Sequence, residues 1–396
     1  MVKSAREAFN AAFTKEKYDT YLDELNSFHP GDIEFRVAET PIFVDKDFTK
    51  KVLDACESIV DVILRPDFKE ITEASIPDEI RMHGENDRPE CIAFDFGICQ
   101  EEDGSFSPQL IEMQGFPTLF AYQVLHTEIT KKHFPPPQGF DAYLNGYHAE
   151  TYIHLLKEII IGHHDPKEVV LLEVYPDQQK TRIDFRCTKD YIGIETICVT
   201  QLKADGDKLY YERDGLRMDI KRIYNRVIFD DLEKQQLPEG TLDIRGEWDV
   251  EWCPHPDWFY RVSKYTLPFI NSPYVPATFF LNQLGSVPAD LENYVLKPLF
   301  SFAGQGVIID VTQEDIDSIK DPANWILQQK VKYADAIETP DVPAKGEIRV
   351  FYFWPEGSER PFAAQNLARL SKGKMIGVRY NVDKEWVGGT LVFFEQ

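Results

Sequence analysis

At 396 residues the chain is longer than one ordinary domain, and 43% hydrophobic with 28% charged side chains is the balance of a folded globular protein. A formal charge of −24, from 67 acidic against 43 basic residues with no basic cluster, excludes DNA and RNA as expected partners, although a small anionic ligand needs only two or three well-placed cations. The six cysteines lack CxxC spacing, the start MVKSAREAFNAAF lacks a signal-type apolar segment, and no run reaches the roughly 18 to 20 apolar residues of a membrane span; free thiols, no membrane and a cytoplasmic location are expected.

Residues 1 to about 75 read as helices, with Phe48, Val52, Leu53, Cys56, Ile59, Val60 and Ile63 recurring at helical spacing. From about 90, CIAFDFGI and PQLIEMQG flank the turn-like EEDGS, a β-hairpin that brings Asp95 and Glu112 close together. Residues 119 to 134 return to helical spacing, and Pro135, Pro136 and Pro137 break it. HAETYIHLLKEIIIG predicts an amphipathic helix. The adjacent His163 and His164 after it are expected to point different ways and not to form a metal-binding pair. EVVLLEVY, GIETICVT, a hairpin around Asp205 and Gly206, and KRIYNRVIF then alternate as an α/β unit over about 145 to 250. NYVLKPLFSFAGQGVIIDVT, WILQQKV, EIRVFYFW, FAAQNLARL, KMIGVRY and GTLVFF follow, a run of strands that fits an antiparallel sheet. There is no internal repeat.

The segment 294 to 307 carries the most chemistry. An apolar strand delivers Lys297, and the loop after it contains Gly304, Gln305 and Gly306 before another apolar strand. Glycines let backbone amides approach phosphate oxygens, and a lysine on the preceding strand neutralises the same phosphates; the alternative is an ordinary hairpin. Downstream, WILQQKV is either a plain strand or an edge whose backbone, at Gln329 and Val331, meets an adenine. No Gly-x-Ser-x-Gly or Cys-His arrangement recommends a hydrolase.

On these motifs the C-terminal third resembles an ATP-grasp fold, and the whole chain resembles the glutathionylspermidine synthetase-like branch, whose ATP-grasp unit is circularly permuted. That branch carries acidic-x-Asn and then Thr-Pro-Thr well before its phosphate-binding lysine, and LIEMQGFPTL supplies Glu112, Gln114, Pro117 and Thr118 in that setting. CIAFDFG keeps Asp95 of the preceding Arg-Phe-Asp element but has Ala93 in place of the family arginine, and Gln114 replaces asparagine. The resemblance makes Asp95, Glu112 and Gln114 a hard oxygen-ligand set for Mg2+, with Glu112 and Gln114 on one face of a strand; the alternative is that these two only decorate a solvent face. Lys264, in WFYRVSKYTLPFINSPYVPATFFL, matches a second phosphate-binding cation or is a solvated helix residue. Tyr224, Asn225 and Arg226 either face the cleft or end a strand, while Glu347, Arg349 and Arg369 lie near the ATP cleft, where the family uses arginines on phosphate or acyl phosphate.

The implied fold class is α/β (α+β), a circularly permuted ATP-grasp fold with a preceding α/β pre-ATP-grasp-like domain and a helical N-terminal segment. Its parts are 1–140 with the metal-ligand strands, 141–255 as the α/β domain, and 256–396 as the nucleotide-binding region. The implied function is an ATP- and Mg2+-dependent ligase that joins a small-molecule carboxylate to an amine through an acyl phosphate. The alternatives are a degenerate ATP-grasp protein that binds nucleotide without ligation, motivated by Ala93, and a non-enzymatic interaction protein. Where Ala93 leaves a gap, Arg349, Arg369 or Arg81 is the expected replacement cation.

Overall fold

The helical spacing of the first segment forms α1 (Lys3–Ala12), α2 (Lys15–Ser27) and α3 (Lys46–Ile63) in the computed structural model, which describes residues 1–300, 306–373, 376 and 381–396. Asp45 starts α3 by accepting from the Phe48 amide at 2.8 Å, satisfying one of the orphan donors of the first turn. The stripe Phe48, Val52, Cys56, Ile59, Val60 and Ile63 is buried as its spacing predicts, whereas Leu53 only flanks it.

β1 (Cys91–Gln100) and β2 (Phe106–Gln114) form the expected hairpin. Alternation divides β1: Ile92, Phe94, Phe96 and Ile98 join α3 in one core, while Cys91 and Ala93 join a second core on the other face. α4 (Tyr122–His133) and α5 (Ala149–Ile161) follow, and their apolar residues belong to that second core.

The next unit is a parallel sheet built from β3 (Val169–Glu173), β4 (Glu195–Cys198), β5 (Arg222–Asn225) and β6 (Glu251–Cys253), with α6 (Arg182–Ile192) crossing between β3 and β4. Its strand order is β6-β5-β3-β4. The chain therefore leaves β3 to one side and later returns to the other, which makes a topological switch point between β3 and β5. The hairpin predicted at Asp205 and Gly206 belongs to a meander over Lys203–Asp205, Lys208–Arg213 and Leu216–Ile220.

Two antiparallel sheets follow, and Val392–Glu395 closes the chain in a small mixed sheet, parallel to Ile42–Val44, a strand within the segment read as helical, and antiparallel to Phe140–Asp141. β7 (Thr278–Phe280), β8 (Tyr294–Pro298) and β9 (Trp325–Gln329) pair in the order β7-β9-β8. β10 (Lys345–Phe353), β11 (Phe362–Ser371) and β12 (Gly388–Thr390) pair with the early hairpin in the order β12-β11-β10-β1-β2. The strand expected at KMIGVRY lies, apart from Ile376, outside the described residues. All six cysteines are free and buried, and among the described residues no helix is long and apolar enough to cross a membrane.

Candidate functional site

The register of the five-stranded sheet assembles a charged cluster on one face. Asp95 lies opposite Glu112 of β2 and opposite Arg349 of β10, and Glu347 lies opposite Arg369 of β11. Thus the expected approach of Asp95 to Glu112 is present. Arg349 donates through Nε and Nη2 to the two oxygens of Asp95, and Arg369 Nη2 donates to Asp95 Oδ2 at 2.7 Å and to Glu347 Oε1. Tyr333 lies against Gly97, where an added Cβ would come within 2.7 Å of its ring, and its hydroxyl donates to Glu347 Oε2 at 2.8 Å. Burial pushes the Asp95 carboxyl up, but Arg349 and Arg369 overcome it and hold the group below the usual carboxylate range. Glu347 is raised by burial, with Asp95 and Glu112 adding to the rise and Arg369 opposing it.

This geometry alters the roles expected from sequence. As a metal ligand Asp95 would need lone pairs facing a cation, yet it is 1% exposed and both its oxygens accept from guanidinium groups. Glu112 and Gln114, on the edge strand, remain as an accessible carboxylate and amide: the Glu112 side chain is 40% exposed, and Gln114 is oriented by donation from Nε2 to Phe116 O at 3.3 Å. Arg349 also reaches Thr118 Oγ1 at 3.1 Å and stands 3.7 Å from Glu112. Ala93 is fully buried beside Phe351 and Phe353 in the second core. Arg81 pairs with Glu73 at 2.7 Å.

The lysines approach the same strand from the small sheet. Lys297 Nζ donates to Gln328 Oε1 at 2.6 Å and to Ile111 O at 3.3 Å, one residue from Glu112. Gln328 is held in turn by donation to Thr278 Oγ1 at 3.0 Å. Lys264 begins a short helix, Lys264–Phe269, and is 8% exposed, so it is not a solvated surface residue. Burial lowers the Lys264 pKa to about 8, with Glu112 opposing and Lys297 adding to the fall; Lys297 is lowered by burial against the pull of Glu112 and Glu347. Two buried ammonium groups therefore share the neighbourhood of one carboxylate.

Of the glycine loop, Gly304 and Gln305 lie outside the described residues. Gly306 adopts a left-handed φ of 71°, and Ile308 exchanges both backbone hydrogen bonds with Leu296 at 2.9 Å, so the chain returns alongside β8. Gln329 is exposed and lines a groove of about 530 Å3 with Thr278, Phe279 and Gln109, while Val331 is half-buried beyond the end of β9.

A second polar pocket, of about 240 Å3, opens at the carboxyl ends of β3 and β5, at the switch point, lined by Glu173, Val174, Gln179, Arg226, Ile228 and Gln235. Of the Tyr-Asn-Arg triplet, Tyr224 packs into the second core, Asn225 turns its Oδ1 onto the Val227 amide at 3.0 Å, and Arg226 faces the pocket. Arg226 Nη1 donates to Thr118 O at 2.8 Å, so Thr118 touches an arginine of each site. Asp184 accepts from the Tyr122 amide at the start of α4 at 2.9 Å, and burial pushes its carboxyl up to about 6 against the pull of Arg226. Asp184 Oδ2, Asn225 Nδ2, Arg226 Nε and Tyr224 OH are buried without hydrogen-bond partners among the described residues. Sequence reasoning missed Glu173, Gln179, Asp184, Gln328 and Tyr333. For the first two a signal existed, since residues just past parallel strand ends at a switch point are where ligands bind.

No family model matches this chain, and no curated protein does. Among solved structures it resembles a glutathione synthetase-like effector from Globodera pallida in its apo form, with a TM-score of 0.58 and 10% identity over 98% of each chain. At that identity the likeness shows the fold alone.

Proposed function

From the premise of a glutathione synthetase-like fold, we propose that the protein is an ATP-dependent ligase that joins a carboxylate to an amine on a permuted ATP-grasp framework. The observation that carries this reading is the gathering of Lys264 and Lys297 beside Glu112. Two buried ammonium groups in one neighbourhood raise each other's cost of ionisation, and a polyphosphate supplies the negative charge that relieves it. Permutation also accounts for a hairpin at 91–114 completing a sheet whose other strands lie at 345–390.

In this reading Lys264 and Lys297 bind the triphosphate and neutralise the charge gathered as its terminal phosphoryl group passes to the substrate carboxylate. The amine then attacks the acyl carbon, the C–N bond forms, phosphate leaves and the amine nitrogen loses a proton. Glu112 and Gln114 offer the hard oxygen donors that fit magnesium, which would screen the phosphate oxygens. The switch-point pocket, with Arg226 and Glu173 of opposite charge, suits a small zwitterionic or peptide-like substrate, and Thr118 ties it to Arg349.

One observation favours a second reading, nucleotide binding without ligation. Arg349 and Arg369 are both committed to internal carboxylates, and Ala93 is sealed in an apolar core. Incubation with ATP, Mg2+ and pools of amino acids, peptides and polyamines decides between them. Substrate-dependent ADP release with a product lighter by one water than two substrates combined establishes ligation. Saturable binding of an ATP analogue without turnover establishes the second reading, and no nucleotide binding removes both.

A further inference from the structure

His163 and His164 do not point apart as expected from their adjacency. α5 ends at Ile161, and Gly162, at φ 61°, turns the chain so that the two rings stack with centroids 4.6 Å apart and planes 27° from parallel. Both face Glu251, the first residue of β6: His163 Nε2 is 3.8 Å from Oε1, and His164 Nε2 is 3.1 Å from Oε2. One ligand-type atom from each of the three residues lies within 4.8 Å of the others. An ion bound tetrahedrally at about 2.0 to 2.2 Å places its ligand atoms roughly 3.3 to 3.6 Å apart, and the two histidine-to-carboxylate distances, 3.8 and 3.1 Å, fall on either side of that range. His164 Nε2 is also buried, with Glu251 Oε2 its carboxylate neighbour at 3.1 Å.

We propose that His163, His164 and Glu251 form a binding site for a borderline divalent metal ion, with Zn2+ the best match. Two imidazoles and one carboxylate suit zinc and disfavour magnesium, and the exposed His163 leaves the fourth position open to water. Arg222 supports the carboxylate: its Nη1 donates to Glu251 Oε2 at 2.6 Å while Nε and Nη2 donate to Ile160 O at 3.0 Å and Ile159 O at 3.1 Å. Its positive charge opposes the metal, and the carbonyl end of α5, with Glu90 at 4.0 Å from Arg222, offsets it. The site lies at the amino end of β6, opposite the switch-point pocket, so its role is to pin the end of α5 to the edge strand.

Calorimetric titration of the full chain with Zn2+, without nucleotide, tests this. One ion is expected per chain, unaffected by excess Mg2+, with a rise in Tm on binding. His163→Ala, His164→Ala and Glu251→Gln should each weaken binding roughly tenfold or more. Should Glu251→Gln fail to fold, His163→Ala still decides, because that side chain is 72% exposed. No Zn2+ binding by the natural chain, or an affinity in His163→Ala and His164→Ala equal to that of the natural chain, overturns the proposal.

Discussion

The face of the five-stranded sheet and the carboxyl ends of the parallel sheet both bury charge, and they satisfy it to different degrees. On the first, Asp95 and Glu347 are answered by Arg349, Arg369 and Tyr333 from within the chain. At the second, Asp184, Asn225 and Arg226 each keep a polar atom without a partner among the described residues. Buried polar atoms are ordinarily satisfied, so a cluster of exceptions is where the proposed substrate would restore missing bonds. The difference teaches that a dense display of charge is not in itself a binding site; the Asp95 cluster has more ionic contacts than the switch-point pocket, and of its atoms only Arg369 Nε is buried without a hydrogen-bond partner among the described residues.

The largest effect should come from Asp95→Ala. It leaves two arginines with a vacated buried partner, and about 3 to 5 kcal/mol of stability should be lost in urea unfolding. A loss below 1 kcal/mol would mean that the cluster is not self-contained, and the contrast would collapse. Lys297→Ala comes next, removing a cation from the proposed phosphate path while Gln328 and Ile111 lose only one partner each. Affinity for a non-hydrolysable ATP analogue should fall roughly 30- to 100-fold, as for loss of a charged hydrogen bond. Unchanged affinity in calorimetry removes Lys297 from the nucleotide site.

Asp184→Asn sharpens the other side of the comparison. Its folded carboxyl is raised from 3.8 to about 6, so the folded state holds an extra proton in that window and stability falls as pH rises through it. Asparagine keeps the acceptor for the Tyr122 amide and removes the charge. Stability at pH 7 should rise by roughly 1 to 3 kcal/mol, and the decline in stability between pH 4 and 6 should flatten. A destabilised variant would show that the charge is matched by something other than Arg226. The smallest effect concerns Lys264, lowered to about 8 by burial. Phosphate needs its protonated form, so nucleotide affinity should weaken roughly fivefold from pH 8 to pH 9. Lys264→Arg should abolish that dependence; a variant that retains it assigns the titration to another group.

What was legible in the sequence was local. Alternation in β1 and β2 placed Asp95 across from Glu112, and the 48–63 stripe marked a buried helix face. Arg349 was placed near the cleft, but its bond to Asp95 was not legible, because it depends on which distant strand lies beside β1. Tyr333 belongs to no motif, and within WILQQKV the expectation fell on Gln329 rather than Gln328; tertiary packing alone selects them. The histidine pair misled because adjacency implies divergence only in regular structure, and the left-handed Gly162 interrupts it. Lys264, ambiguous between surface and site by sequence, proves to be buried, which no single-residue pattern encodes.

The pairing of β1 with β10 also sets a clock. Asp95 and Arg349 are 254 positions apart, so on a ribosome adding about 5 to 20 residues per second the hairpin waits roughly 13 to 50 s for its sheet partner. At the start of that interval Ile92, Phe94, Phe96 and Ile98 have mainly the preceding α3 and their hairpin partners Leu110 and Met113 to pack against, and their core neighbours from Trp258 to Ala344 come late. Nascent chains halted before β10 should therefore bind chaperones through this strand, and α3, made first, acts as its temporary cover.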